Sequence, residues 1–391
     1  MNHASPIQSL LVTETGRCVA CGLCLPHCPT YRKTQSEADS PRGRILLTQA
    51  VAQGTLPMSE RYIEHMNLCL TCRACENACP NHVNYGTIAD EARALIHQKH
   101  GSPLPLATRI IVNPALSRLA GGLLRLANSL GLRKIFKSLP AASRQYRWKT
   151  RYTATSAQNE VCLFLGCVSN ALDAETLAAS VFVLNRLGYT VHIPPAQTCC
   201  GGLHRQAGDS DGAMALETRN SAAFAAFAAM PVLTVASGCG ARLIEFMPDR
   251  VQDINVFLAQ ASGWEKVTIA PLRAKIAVQE PCTLRNVLKA KGVQQTLLQH
   301  IPQAEIVALP GNAQCCGGAG SYMLTQPHMA NGLRDDKISA CGEVAPDYLV
   351  TANIGCALHL ARGLNEADMP VQISHPVMLL ARQMGFTGGL E

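Results

Sequence analysis

Two runs of four cysteines constrain this chain more than anything else in it. Cys18, Cys21, Cys24 and Cys28, followed by Pro29, keep the spacing C-x2-C-x2-C-x3-C-P, and Cys69, Cys72, Cys75 and Cys79, followed by Pro80, repeat it without deviation. Three thiolates at this spacing wrap one face of an iron-sulfur cube, while the fourth, turned away by its proline, reaches the neighbouring cube. The pattern therefore predicts two [4Fe-4S] clusters with crossed ligands: Cys18, Cys21 and Cys24 with Cys79, and Cys69, Cys72 and Cys75 with Cys28. Zinc also takes C-x2-C thiolates, but it asks for two pairs rather than two runs of four ending in proline. Such clusters, with no other catalytic group beside them, conduct single electrons at potentials set by nearby charge, hydrogen bonds and exposure. Lys33, Arg42 and Arg44 follow the first run closely and are expected to be solvated surface.

The remaining cysteines report a duplication. Cys167, the pair Cys199-Cys200 before Gly201-Gly202, and Cys239 recur as Cys282, Cys315-Cys316 before Gly317-Gly318, and Cys356, at offsets of 115 to 117 residues. Three landmarks at one offset mark an internal repeat. Apolar runs at Val161 to Leu165, Val232 to Ala236, Ile276 to Val278, Ile306 to Leu309 and Tyr348 to Val350 are separated by helix-length stretches, which predicts parallel α/β units. Most of these cysteines follow an apolar run directly, so they are expected at the carboxyl ends of strands, where open α/β sheets build their sites. Four thiolates per repeat suit a further iron-sulfur cluster or a zinc ion, and a site that has lost its metal fits the same pattern. Cys162 and Cys341 fall outside the alignment and read as small buried hydrophobes.

The first region reads as helical, with Ser40-Pro41 opening Arg42 to Gln53 and Ser59 opening Glu60 to Leu68. The expected organisation is an α+β multidomain chain: a helical unit over 1–99, a basic amphipathic linker over 100–159, and two duplicated α/β cysteine-rich units over 160–270 and 271–391.

The 391 residues are 48% hydrophobic and 16% charged, which excludes a disordered chain and suggests surface covered by other subunits. Eighteen cysteines in a chain of this length, with no basic start and apolar run in Met1 to Leu11, are expected to be reduced and cytoplasmic rather than a disulfide framework. The longest apolar candidate, Phe224 to Ala236, is broken by Pro231, so no membrane span is expected. Of the 34 lysines and arginines, twelve lie between Ala92 and Asn159, a stretch without Asp or Glu. Within it Leu116, Leu119, Leu123, Leu126 and Leu130 recur at helical spacing, with Arg118 and Arg125 on another face and Arg133, Lys134 and Lys137 following. That pattern suits a helix lying on a membrane surface, or one docked on a partner or on the chain itself. Nucleic acid is not expected, because aromatic interleaving and a reading motif are missing. There is no Walker A sequence, and Cys316-Gly317-Gly318-Ala319-Gly320 does not meet the dinucleotide fingerprint. A flavin or nicotinamide is therefore expected on another polypeptide.

Paired cluster motifs followed by two CCG repeats resemble the iron-sulfur subunits of flavin-dependent dehydrogenases and of heterodisulfide reductase, over nearly the whole chain. Ser40-Pro41-Arg42-Gly43-Arg44-Ile45, Leu70-Thr71-Cys72-Arg73, Val83-Asn84-Tyr85-Gly86 and Pro281-Cys282-Thr283-Leu284 are most similar to the iron-sulfur subunits of bacterial glycolate oxidase. The resemblance implies a helical ferredoxin-like fold for the first region and FAD-bearing partner subunits that oxidise glycolate to glyoxylate. It further implies a membrane quinone as acceptor and a place on the cytoplasmic face of the inner membrane. Subunits serving lactate or anaerobic glycerol-3-phosphate oxidation have similar architecture. Heterodisulfide reductase repeats end in C-x2-C, whereas Gly240-Ala241-Arg242 follows Cys239 here and Ala357-Leu358-His359 follows Cys356, which counts against disulfide cleavage.

Overall fold

The computed structural model describes residues 5–101, 104–129, 144–154 and 159–390. The first unit is helical, as the capping residues imply. Ser5 and Gln8 form a reciprocal capping box at the start of α1 (Pro6–Thr15). The short α2 (Pro29–Thr34) begins at the proline that ends the first cysteine run. Ser40 Oγ accepts from Gly43 N at 2.9 Å to open α3 (Pro41–Ala52), and Ser59 opens α4 (Glu60–Asn67). A single turn, α5 (Ala74–Asn77), carries Cys75, and Asn84 caps the long α6 (Tyr85–His100). Leu11, Ile45, Val83, Tyr85, Ile88 and Ala89 form the core on which both cysteine loops rest. Two further helices follow, α7 (Leu106–Val112) and α8 (Pro114–Ser129).

The rest of the chain builds two sheets. The first contains β1 (Arg151–Tyr152), β2 (Asn159–Phe164), β3 (Tyr189–His192), β4 (Val232–Thr234) and β5 (Val251–Asp253), in the order β1-β3-β2-β4-β5. The second contains β6 (Lys275–Val278), β7 (Glu305–Ala308), β8 (Tyr348–Val350) and β9 (Gln372–Ser374), in the order β7-β6-β8-β9. Every pairing is parallel except β1 with β3. Numbered within its repeat, each sheet has the order 2-1-3-4, so the duplication extends from the cysteines to the topology. The five strands expected from apolar runs are β2, β4, β6, β7 and β8. The short strands β3, β5 and β9 carry polar residues such as Thr190, Gln252 and Gln372, and left no comparable run.

The two repeats share one core. Helix Pro376–Gln383, at the end of the second repeat, packs on helix Ala174–Arg186 of the first, bringing Val377 and Leu380 against Leu177, Val181 and Leu184. All five side chains are fully buried, each contributing about 1.5–3 kcal/mol by its removal from water. Cys162 and Cys341 are also fully buried within apolar clusters.

The paired cysteines of both repeats lead into the same turn. Gly201 and Gly317 each adopt φ +83°, and a Cβ on Gly317 would stand 2.3 Å from the carbonyl oxygen of Ala330. Gly317→Ala should therefore destabilise the chain by about 1–3 kcal/mol or more. Gly332→Ala, inside helix Pro327–Val344 with nothing near its added methyl, should stabilise by about 0.5–1 kcal/mol. Thermal unfolding of the two variants checks the contrast.

Candidate iron-sulfur centres and the cleft between the repeats

The two motifs interleave in space. One cavity is lined by Cys18, Cys21, Cys24 and Cys79, together with Cys75, and a second by Cys28, Cys69, Cys72 and Cys75. Each therefore gathers three thiols of one run and the proline-linked fourth of the other. The first lies near the surface: Cys21 is exposed, and the loop around it presents Val19 and Leu23 to solvent at 66% and 57% exposure. The second is deeper, with Cys28, Cys69 and Cys75 buried. Thiols in low-dielectric surroundings resist ionisation. Burial pushes Cys24 up to about 11, and raises Cys72 and Cys75 well above the ordinary thiol range.

Cys69 is the exception in the deeper set. Burial raises its pKa too, but the guanidiniums of Arg44 and Arg93, with the hydroxyl of Tyr85 donating to its sulfur at 3.5 Å, hold it below the ordinary thiol value. Arg44 is not the solvated residue expected from sequence. It is 1% exposed, donates to Thr30 Oγ1 at 3.0 Å and lies 3.9 Å from Cys28 Sγ, with Asp39 as its buried counter-ion at 3.4 Å. Its place on the buried face of α3 was readable, since Thr48 and Val51 follow it at four and seven residues. Arg42 and Lys33 remain near the surface, paired with Glu37 and Asp336 at 2.7 Å each. Arg93 reaches from α6 to Thr71 Oγ1 at 2.6 Å and to the carbonyl oxygens of Met66 and Cys69. Tyr85 enters the sequence reading only within the motif Val83-Asn84-Tyr85-Gly86, and Arg93 only among the twelve basic residues after Ala92, so neither is singled out as a neighbour of the thiols.

The repeat cysteines stand at the carboxyl ends of their strands, as expected. Cys167 opens the helix after β2, Cys239 lies in the helix after β4, Cys282 opens the helix after β6, and Cys356 lies in the helix after β8. Cys167 Sγ is 3.3 Å from Cys199 Sγ, and Cys282 Sγ is 3.9 Å from Cys315 Sγ. Cys200 contacts Cys239, and Cys316 contacts Cys356. A tetrahedral zinc holds its thiolates about 3.8 Å apart. The sulfurs converge pairwise near that spacing, yet among the described residues no three His, Cys, Asp or Glu side chains surround a single ion position. All eight repeat cysteines line one cleft of about 380 Å³ between the two repeats, closed on a third side by Leu70, Thr71 and Arg73 of the helical unit.

The helical unit and the second repeat meet at the deeper thiols. Leu70 and Cys72 pack in one apolar cluster with Cys282, Cys315 and Tyr322. Asn286 donates to the carbonyl of Cys72 at 2.8 Å, and the Tyr322 hydroxyl donates to the carbonyl of Leu68 at 2.8 Å. The first repeat is tied by Arg205, which pairs with Asp90 at 3.3 Å and Glu91 at 2.6 Å. On α8, Leu116, Leu119, Leu123 and Leu126 are 45–64% exposed, so the stripe is not covered by the described residues. The side chains of Arg118 and Arg125, and all of Leu130, Arg133, Lys134 and Lys137, lie outside the described residues. No helix among the described residues is long and apolar enough to cross a membrane.

The 4Fe-4S dicluster domain model matches residues 14–83, and the cysteine-rich CCG domain model matches residues 161–244 and 276–361. The glycolate oxidase iron-sulfur subunit of Escherichia coli K12 is 32% identical, over 88% of this chain and 89% of that protein. The chain belongs to the glycolate oxidase iron-sulfur subunit family. The probable glycolate oxidase iron-sulfur subunit of Bacillus subtilis 168 is 30% identical over 95% of this chain and 94% of its own length. Lactate utilization protein A of Anoxybacillus flavithermus is 27% identical over 55% of this chain and 96% of its own length. As in its family, this chain is an iron-sulfur electron-transfer subunit, a helical dicluster domain followed by two cysteine-rich α/β repeats.

Arg44 supplies positive charge beside only one of the two thiol sets. Arg44→Met should lower the midpoint potential of one of two resolved [4Fe-4S] signals by an amount on the order of 100 mV, for a unit charge at effective ε of about 20. The other signal should stay in place, and a redox titration followed by electron paramagnetic resonance reads both.

Proposed function

We propose that the chain is the electron-carrying subunit of a flavin-dependent glycolate oxidase, taking electrons from FAD-bearing partner subunits that oxidise glycolate to glyoxylate. The observation that carries this reading is the line of thiols from exposed Cys21, through the buried set at Cys69 and Cys72, to Cys282 and Cys315 in the cleft. Cys18, Cys21, Cys24 and Cys79 hold one cluster, and Cys69, Cys72, Cys75 and Cys28 hold the other. Such clusters supply one-electron transfer when bound. Around them the chain's own residues set the charge: Arg44, Arg93 and Tyr85 favour the anionic form on the deeper side, while the apolar Val19 and Leu23 leave the outer side open for a flavoprotein to approach. The cysteines of the repeats suit an additional iron-sulfur cluster rather than zinc, since among the described residues no three of their side chains surround a single ion position. The basic segment with its exposed leucine stripe holds the complex on anionic lipid at the cytoplasmic face, where a membrane quinone accepts the electrons.

In the isolated complex, glycolate should bleach the iron-sulfur absorbance of this chain; bleaching by lactate alone would reassign the substrate. Cys28→Ser should remove the same paramagnetic signal as Cys72→Ser, and Cys79→Ser the same one as Cys21→Ser. Loss of one signal by both members of a single run would refute the crossed ligand sets. Leu119→Glu with Leu123→Glu should move the complex from sedimenting with vesicles of anionic phospholipid to the supernatant, while leaving glycolate-driven bleaching unchanged.

A further inference from the structure

The second cysteine loop of the helical unit is held by the second repeat along its length. Tyr322 donates to the carbonyl oxygen of Leu68, just before Cys69, and Asn286 Nδ2 donates to the carbonyl oxygen of Cys72, each at 2.8 Å. Asn286 Oδ1 also accepts from Asn77 Nδ2 at 2.8 Å, and Asn77 Oδ1 accepts from Lys289. One carboxamide thus grips both ends of the segment that carries Cys72 and Cys75. Asn286 is 4% exposed, and a buried amide is costly unless its donors and acceptor are satisfied, so the side chain is committed to this contact. It ends the single-turn helix Cys282–Asn286, so the residue that fixes the Cys72 backbone is rigidly joined to a thiol packed in the same cluster as Cys72. The first repeat has no equivalent. At the offset of 115 residues that relates Cys167 to Cys282, Asn286 corresponds to Ala171, whose methyl neither donates nor accepts. The tie of the first repeat to the helical unit, Arg205 with Asp90 and Glu91, goes to α6 and not to the cysteine loop. The side chains acting most strongly on Cys199, Cys200 and Cys239 are one another, Cys167 and Arg242, whereas Cys72 and Cys315 act on each other's side of the contact with Cys282.

We propose that Asn286 is a positioning residue that fixes the spacing between the deeper thiol set and the thiols of the second repeat, so that the second repeat, and not the first, exchanges electrons with the dicluster unit. This rests on the reading of the repeat cysteines as ligands of an additional iron-sulfur cluster. The step served is the passage of one electron, originating in the substrate oxidised by the flavoprotein, from the side of Cys72 to the side of Cys282. No bond is made or broken and no proton is transferred. Electron exchange weakens steeply as two centres separate, so a bond that ties the backbone of one ligand to the helix of another acts on the exchange itself. Asn286 touches no reacting atom. It works through the Cys72 carbonyl, and the loss of that one donated bond lets the loop and the repeat drift apart.

The test uses the full chain with its iron-sulfur centres, reduced anaerobically with dithionite, in a Cys21→Ser background so that the outer cluster does not contribute. The readout is the microwave power at which the paramagnetic signal of the deeper cluster saturates, because a second paramagnet close by speeds its relaxation. Cys282→Ser should remove iron from the second repeat and make the deeper signal saturate at lower power, whereas Cys167→Ser should remove iron from the first repeat and leave saturation unchanged. Asn286→Ala, which copies Ala171, should lower the saturating power with the iron content kept. Asn286→Asp keeps the shape and the bond from Asn77 but has no donor for the Cys72 carbonyl, and should lower it as well. Unaltered saturation in Asn286→Asp would overturn the role of the donated bond, and equal effects of Cys167→Ser and Cys282→Ser would overturn the choice of the second repeat. Iron lost in Cys282→Ser with no change in saturation overturns the proposal alone. Iron content unchanged by Cys282→Ser removes the reading of the repeat cysteines as cluster ligands, and the proposal with it.

Discussion

Crowding sixteen thiols into a protein interior is an electrostatic problem before it is a structural one. Each thiolate that leaves water loses solvation, and each neighbour of the same sign raises the cost again. Burial and neighbouring thiols accordingly raise Cys72, Cys75, Cys282 and Cys315. The chain answers at a few points with groups that need no titration to be positive. Arg44 and Arg93 are 1% and 4% exposed, which a guanidinium tolerates only with its donors satisfied. Arg44 is held by Asp39 and Thr30, Arg93 by Thr71 and two backbone carbonyls. The helical unit is built around these anchors: α3 exists to deliver Arg44 beneath the second cysteine loop as much as to fill the core with Ile45.

This electrostatic requirement also explains what could be read from the sequence. The eight motif cysteines, the duplication and the strand ends that carry the repeat cysteines were legible because spacing and apolar runs are local signals. Ser40 and Ser59 announced their helices because each hydroxyl accepts from a backbone N–H only three residues on. Arg44 lies on the face that its spacing to Thr48 and Val51 marks as buried, but its partners, Asp39, Thr30 and Cys28, assemble around it only in the fold, so what its charge does there left no local signal. Asp90 and Arg205 were invisible for the same reason, being joined across 115 residues. Strands β3, β5 and β9 escaped because polar residues interrupt them and pairing with neighbouring strands makes them strands.

Duplication gave the two repeats equal scaffolds, but their surroundings are unequal. The second repeat packs Cys282 and Cys315 against Cys72, whereas the first reaches the helical unit through Arg205 and its two carboxylates. Three residues after the last cysteine the aligned positions differ in charge: Arg242 in the first repeat, His359 in the second. His359 is 2% exposed, its Nε2 lies 3.0 Å from the Ala330 carbonyl, and burial holds its pKa below the ordinary value. Arg242 is paired with Glu217 at 2.8 Å and with Glu245.

The thiols of the two repeats differ as well, chiefly through their own contacts. Contact with Cys199, then with Cys239, and the field of Arg242 bring Cys200 well below the ordinary thiol value. Its counterpart Cys316 is favoured by Cys315 but raised overall by Cys356 and by burial. The two four-thiol scaffolds are thus faced by different charged groups: Arg242, held by Glu217 and Glu245, in the first, and in the second the buried Lys337, whose Nζ donates to the Gly311 carbonyl oxygen at 2.6 Å. The second is the one packed against Cys72 of the helical unit, so duplication has left two unequal sites where identical repeats would offer two alike.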